Sequence, residues 1–291
     1  MLDNTGIILS GVGGNYEVLL DSGLQVRCKA RGVFRLQHLT PLIGDRVRVS
    51  AQQYIEEISP RRNSLVRPAA ANIDQLLVVI AVHHPQPHFL MLDRFLVEAE
   101  RRQIEVGIVL SKMDLWSLAD QQSIEMAIKG YEAAGYPIYR VSTREEGETP
   151  WPVENLRTSL QNKITVLAGP SGVGKSSLIN LLVGARQETG ELSEKIARGK
   201  NTTRAAKLLP VQGGGLIADT PGFSSLQLWE LNKEDLAQYY PEFTPFLGQC
   251  RFPDCRHDKE PDCAIKQAVQ SGEVAPFRYE NYLKLYQELQ Q

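Results

Sequence analysis

The chain has 291 residues, 42% hydrophobic and 23% charged, with a formal net charge of −2. That length allows two or three domains with real cores. The near-neutral balance excludes a protein that coats nucleic acid wholesale, so any polyanion contact must come from a local patch. No apolar run is long enough to cross a bilayer, and the start, Met1-Leu2-Asp3-Asn4-Thr5-Gly6, has neither a basic leader nor an apolar signal core. The expectation is a cytoplasmic protein without membrane contact, its four cysteines reduced or bound to metal.

Residues 1–68 read as short strands broken by turns. The candidates are Gly6–Leu9, Tyr16–Leu20, Leu24–Cys28 and Arg46–Val49, separated by Gly13-Gly14-Asn15, Asp21-Ser22-Gly23 and Gly44-Asp45. Strands at this spacing predict a small all-β barrel of the OB type, a fold that often carries oligonucleotides on one face. Nine basic residues stand against six acidic ones in this stretch, a balance of +3 that fits RNA contact. Cys28 reads as a core residue of the barrel, and Arg61 to Pro68 as a connecting segment.

A βα pattern follows. Asp74 to Val82 is apolar enough for a central parallel strand; a helix is expected over 89–103, a strand over 106–110, a helix over 118–134 and a strand over 137–141. This alternation implies a doubly wound sheet. His83 and His84 at a strand end read as polar turn residues rather than ligands. Ser111-Lys112-Met113-Asp114, after the second strand, resembles the guanine-reading motif N-K-x-D. The chemistry needs one carboxylate accepting from guanine N1–H and N2–H₂, which Asp114 supplies, while the Lys112 stem can lie along the base. Ser111 replaces the usual Asn, so one supporting hydrogen bond is expected to be shorter-reaching or lost. Ser142-Thr143 stands where a short base-contact motif would fall, and matches it poorly.

Ile164 to Ala168 is a buried-type strand that runs into Gly169-Pro170-Ser171-Gly172-Val173-Gly174-Lys175-Ser176, a full G-x-x-x-x-G-K-[ST] phosphate loop with a helix after it. The glycines let backbone N–H groups turn toward a polyphosphate, and the helix N-terminus adds its positive end. Lys175 is expected on the β and γ phosphates, Ser176 on Mg²⁺, and Ser177 beside them. Residues 186–205 are polar and read as a switch loop whose Thr202 or Thr203 closes on Mg²⁺ and the γ phosphate. Gly215 to Gly222 then supplies strand plus D-x-x-G, with Asp219 holding Mg²⁺ through water and the Gly222 N–H sensing the γ phosphate. These motifs together make a GTPase, and Phe223, which cannot orient a water, predicts slow intrinsic hydrolysis. The base motif precedes the phosphate loop, which a circular permutation of an α/β domain explains.

The last segment carries Cys250-x4-Cys255-x-His257-x5-Cys263 in a loop-rich stretch. Three thiolates and one imidazole form a closed tetrahedral set, suited to one structural zinc per chain. Tyr279, Tyr282, Leu283, Tyr286 and Leu289 recur at helical spacing and are expected to pack on this mostly helical domain. The expected domains are a barrel over 1–68, a permuted GTPase over 69–228 and a zinc-binding domain over 229–291.

Barrel, permuted motif order and Cys₃His together resemble the RsgA (YjeQ) family, the ribosome small-subunit-dependent GTPases A. Further matching stretches are Arg61-Arg62-Asn63, Asn72-Ile73-Asp74-Gln75, Leu92-Asp93-Arg94-Phe95 and Gly199-Lys200-Asn201-Thr202-Thr203-Arg204. The family usually has His where Asn201 stands, and Ser111 and Thr143 also depart from its pattern. The resemblance implies a GTPase that binds the small ribosomal subunit, checks late maturation and leaves on hydrolysis of GTP to GDP; contact with its rRNA and a monomeric state are also expected. Two other readings are a nucleotide-gated RNA-binding switch with incidental hydrolysis, and a small-molecule kinase, against which Asp114 and Asp219 count.

Overall fold

The computed structural model describes residues 4–65, 69–116, 118–144, 151, 153–184, 206–219 and 231–289. In chain order these form β1 (Thr5–Val12), β2 (Asn15–Leu20), β3 (Gln25–Ala30), α1 (Val33–Leu36), β4 (Arg46–Val49), β5 (Tyr54–Ile58), β6 (Ser64–Leu65) and β7 (Ala70–Ala71). Then come β8 (Gln75–Ala81), α2 (Phe89–Arg101), β9 (Glu105–Ser111), α3 (Leu118–Ala133), β10 (Ile138–Arg140), α4 (Glu154–Ser159), β11 (Ile164–Ala168), α5 (Lys175–Val183), β12 (Lys207–Pro210) and β13 (Leu216–Asp219). Short 3-10 helices at Lys233–Tyr239 and Pro241–Phe246 precede α6 (Ala264–Ser271) and α7 (Pro276–Glu288). The chain divides into two compact units: Met1–Leu76 with Glu154–Leu167 and Lys175–Phe223, and Leu77–Val153 with Ala168–Gly174 and Ser224–Gln291.

In the first unit β1 to β5 close into a five-stranded barrel. β1 pairs with β2 and β4, β2 with β3, β3 with β5 in parallel, and β5 with β4. Alternation places Ile8, Val18, Cys28, Val47, Val49 and Ile55 inside, joined by Phe34 of α1. β5 is absent from the expected set because Glu56 and Glu57 break its apolar signal. In the fold both acids are neutralised outside the barrel, by Arg31 at 2.8 Å and Arg48 at 2.8 Å. A groove of about 630 Å³ opens on the barrel, lined by Tyr16, Arg27, Lys29, Gln52, Gln53 and Tyr54 among others. On the other side of β1 lies β12, then β13, then β11, so barrel strands and phosphate-loop strand share one sheet within this unit.

The stretch expected as a plain connector is a strap. Arg61 forks onto Asp45, which is fully buried, with Nε to Oδ1 at 2.7 Å and an Nη to Oδ2 at 2.8 Å. Asn63 exchanges two hydrogen bonds of 2.8 Å with the backbone of Ile73, and the Asn72 amide donates to the Gly44 carbonyl at 3.0 Å. Asp74 then takes Arg62 at 2.7 Å and the Ile164 N–H of β11 at 2.8 Å.

In the second unit β10 pairs in parallel with β9, with β8 as the next strand. All seven residues of β8 are buried, as a strand covered on both faces requires. His88 caps α2, its Nδ1 accepting from Met91 N–H at 3.1 Å. The C-terminal helices enclose Leu236, Tyr240, Phe243, Ile265, Tyr282 and Leu285. Deeper still, Arg278 of α7 is fully buried between Asp93 of α2 and Glu242, the latter accepting from Nε at 2.6 Å. Tyr131 and Asn281 also donate to Asp93, at 2.7 and 2.8 Å, and the Tyr240 ring lies 4.5 Å from the guanidinium. Burial raises the Asp93 carboxyl and Arg278 opposes that shift. Every charge in the set has a partner, which is what makes a buried ion pair tolerable; stripping one partner from such a pair costs about 3–5 kcal/mol.

Candidate nucleotide site and metal centre

The phosphate loop leaves β11, a strand buried along its whole length. Gly169 has φ +133°, and a Cβ there would come within 2.2 Å of the Val79 carbonyl oxygen, so backbone meets backbone and only glycine fits. Gly172 and Gly174 also have positive φ, +81° and +97°. Val173 is buried beneath the loop, while Ser171, Ser176 and Ser177 are exposed. Lys175 is half-buried at the start of α5, and burial pulls its ammonium below the ordinary lysine value. A polyphosphate beside it would offset that desolvation.

The base loop follows β9. Ser111 is buried and its hydroxyl donates to the Val173 carbonyl at 2.5 Å, with the Ile80 carbonyl at 3.2 Å. A serine thus reaches the phosphate loop here because β9 ends close beneath it. Lys112 adopts the left-handed conformation, φ +59°, and its Nζ donates to the His84 carbonyl at 2.5 Å, which draws the stem across the loop. Asp114 sits in the middle of a 3-10 turn, Met113–Leu115. The Ser142 hydroxyl donates to Asp114 Oδ1 at 2.7 Å and accepts from Arg144 N–H at 3.2 Å, and the Arg144 guanidinium stands 4.0 Å from Oδ2. Ser142, from a poorly matching dipeptide, therefore sits on the carboxylate expected to read the base.

Asp219 ends β13. That strand runs parallel to β11, with Ala218 opposite Val166, so Asp219 leaves the sheet on the edge where β11 ends. On its other side Asp219 is the register partner of Lys207 in β12. Thr202, Thr203, Gly222, Asn201 and Phe223 lie outside the described residues.

The four predicted metal ligands converge: one ligand atom each from Cys250, Cys255, His257 and Cys263, all within 4.8 Å of one another. The Cys250–Cys263 sulfurs are 3.8 Å apart, and His257 Nδ1 is 3.5 Å from Cys250 Sγ and 3.4 Å from Cys263 Sγ. Zn–S bonds of about 2.3 Å and Zn–N bonds of about 2.0–2.1 Å make tetrahedral edges of roughly 3.8 Å and roughly 3.5 Å. The donor set and its edges fit that ion. Tyr279 and Tyr282 hold the loop by donating to the carbonyls of His257 and Arg256, at 2.6 and 2.9 Å, and Glu260 caps the Arg256 and Asp258 N–H groups at 3.0 Å each. Burial lowers the His257 imidazole, favouring the neutral ligand form. Burial and then the neighbouring sulfurs push Cys255 up to about 12, so these thiols crowd one another unless a cation joins them.

The RsgA GTPase family matches residues 58–229, and the RsgA N-terminal domain matches residues 5–56. The chain belongs to the RsgA GTPase family. The small ribosomal subunit biogenesis GTPase RsgA of Shouchella clausii is 43% identical over 98% of this chain and 97% of its own. The protein of the same name from Agathobacter rectalis is 41% identical over 98% of both chains. Among solved structures, YjeQ from Thermotoga maritima superposes with TM-score 0.84 at 37% identity, covering 99% of each chain. YloQ, described as a circularly permuted GTPase, gives 0.82 at 34%, covering 99% of this chain and 95% of that one. This RsgA-family chain is likewise a permuted GTPase, and it has an N-terminal barrel and a C-terminal helical region holding the Cys₃His cluster. No helix among the described residues is long and apolar enough to cross a membrane. Sequence reasoning passed over Arg144 and Lys207, and took His84 for a turn residue. His84 acts through its carbonyl, which any residue carries; Arg144 is found only once the fold brings it near Asp114, and Lys207 only from strand register.

Proposed function

We propose that this RsgA-family GTPase binds the small ribosomal subunit during its late maturation and leaves as GTP is hydrolysed. The full-length match to relatives named as small ribosomal subunit biogenesis GTPases carries the reading. The barrel groove, with Arg27 and Lys29 beside Tyr16 and Tyr54, supports rRNA contact by charge and stacking. The protein acts as a cytoplasmic monomer with domains over 1–68, 69–228 and 229–291. GTP turnover measured with and without purified small subunits tests this against a nucleotide-gated RNA switch whose hydrolysis is incidental.

In this reading the N–H groups of Gly169–Gly174 and the start of α5 cradle the phosphates, and Lys175 neutralises the β and γ oxygens. Mg²⁺, held by Ser176 and by Asp219 through water, would supply further charge neutralisation. Thr202 or Thr203, from outside the described residues, would contact Mg²⁺ and the γ phosphate, and the Gly222 N–H would sense that phosphate. Ser111, Lys112 and Ser142 hold the base loop while Asp114 accepts from the guanine edge. Asp114→Asn should therefore cost roughly 10²-fold or more in preference for GTP over ATP, because one acceptor becomes a donor facing donors. Competition binding with both nucleotides measures it, and an unchanged preference removes Asp114 from the base site.

The Cys₃His cluster is proposed to hold one structural zinc, which cross-links a stretch that has no regular helix of its own. Elemental analysis of gently purified protein should give about one zinc per chain. Metal-free protein with all four cysteines freely titratable would end that assignment.

A further inference from the structure

The first unit carries one transverse row of register partners. Arg27 on β3 lies opposite Glu17 on β2, Glu17 opposite Ser10 on β1, Ser10 opposite Lys207 on β12, and Lys207 opposite Asp219 on β13. Opposed residues of antiparallel strands project from the same face, with Cβ atoms about 4.5–5.5 Å apart. The row therefore runs from the barrel surface to the proposed metal aspartate, and Lys207 stands in it with a carboxylate on either side. Its ammonium is on the barrel side: Nζ lies 3.1 Å from Glu17 Oε2, and the same oxygen accepts from the Ser10 hydroxyl at 2.9 Å. These two bonds, the lysine's first, hold the Glu17 carboxyl below the usual range.

We propose that Glu17 keeps the Lys207 ammonium off Asp219 and so leaves that carboxylate available to Mg²⁺, making Glu17 and Lys207 positioning residues for metal-dependent nucleotide binding. The proposal rests on Asp219 being the metal aspartate. Lys207 has a flexible four-carbon stem and is 47% exposed, so it can swing to the carboxylate on its other side once Glu17 loses its charge. An ammonium on Asp219 then competes with the cation for one acceptor. Ser10, Glu17 and Arg27 also line the barrel groove, which places the metal aspartate one lysine swing away from that surface.

The test follows release of a fluorescent GDP analogue from the full chain across a magnesium titration, a readout separate from turnover. Glu17→Gln keeps the side-chain size and a hydrogen-bonding partner for Ser10, and should need roughly fivefold more Mg²⁺ for half-maximal retention, the reach of an exposed ion pair. The double variant Glu17→Gln/Lys207→Met should return to the value of Lys207→Met alone. A Glu17→Gln curve that overlays the wild type overturns the proposal, as does a shift that survives in the double variant. Asp219→Asn is measured alongside. If its magnesium response is unaltered, the metal-aspartate assignment falls and the proposal with it; if Asp219→Asn shifts and Glu17→Gln does not, the proposal falls alone. Both side chains of the pair are surface groups, 33% and 47% exposed, and melting curves check that each variant is folded.

Discussion

Lys175→Ala should lower GTP turnover by roughly 10²–10³-fold while leaving the protein folded. Phosphoryl transfer gives the enzyme little covalent work, and the gain comes from positioning and from neutralising charge on the equatorial oxygens. In the proposed site Lys175 is the phosphate-loop cation; it begins α5 at half burial, so its ammonium is expected to serve the ligand rather than the core made by Leu178, Ile179 and Leu182. The substitution keeps good helix propensity at that position. Steady-state turnover with a thermal melt of the same preparation separates the outcomes. Normal turnover in a folded variant would remove Lys175 from the mechanism, and a collapsed melt would mean its stem is structural.

Small ribosomal subunits should raise turnover by roughly 10²-fold or more, the scale on which supplying one missing charge-stabilising or orienting group acts. Phe223 is the reason: it comes directly after the D-x-x-G glycine, and its ring offers no hydrogen bond to the attacking water. A site that binds nucleotide well and orients water poorly waits for a group from outside. Subunit binding should favour a non-hydrolysable GTP analogue over GDP and weaken as salt rises, because phosphate contacts release counterions. A subunit titration in a steady-state assay decides it. Fast turnover without subunits, unchanged by adding them, would show that Phe223 is no handicap and that the ribosome is not the activator.

Motifs whose chemistry is local are legible in the amino-acid sequence alone. Phosphate-loop spacing, the Cys250–Cys263 set and the apolar run of β8 each carry their geometry in consecutive or nearly consecutive residues. What escapes a sequence reading depends on partners far along the chain. β5 is hidden because Glu56 and Glu57 break its apolar pattern, and only the fold brings Arg31 and Arg48 against them. Ser111 looks too short for its task because only the fold shows how near Val173 comes. The Glu17–Lys207 pair joins positions whose proximity follows from β1 pairing with β12, a register that no short window reveals.

The strap from Arg61 to Asp74 bears on how the barrel can do its work. A flexible tether would let the barrel sample a volume, and each productive encounter would lose that freedom; its effective concentration near a target would follow chain statistics. Here Asp45, Asn63 and Asn72 remove the freedom at folding, and Asp74 extends the connection to the strand that enters the phosphate loop. Within this unit the barrel behaves as a fixed lever rather than a tethered hook. Orientation is built in before any ligand arrives, so binding energy gathered at the barrel is not consumed in ordering a linker. The same economy concentrates the hold in few atoms: replacing Asn63 would release the donor and the acceptor of the Ile73 backbone at once.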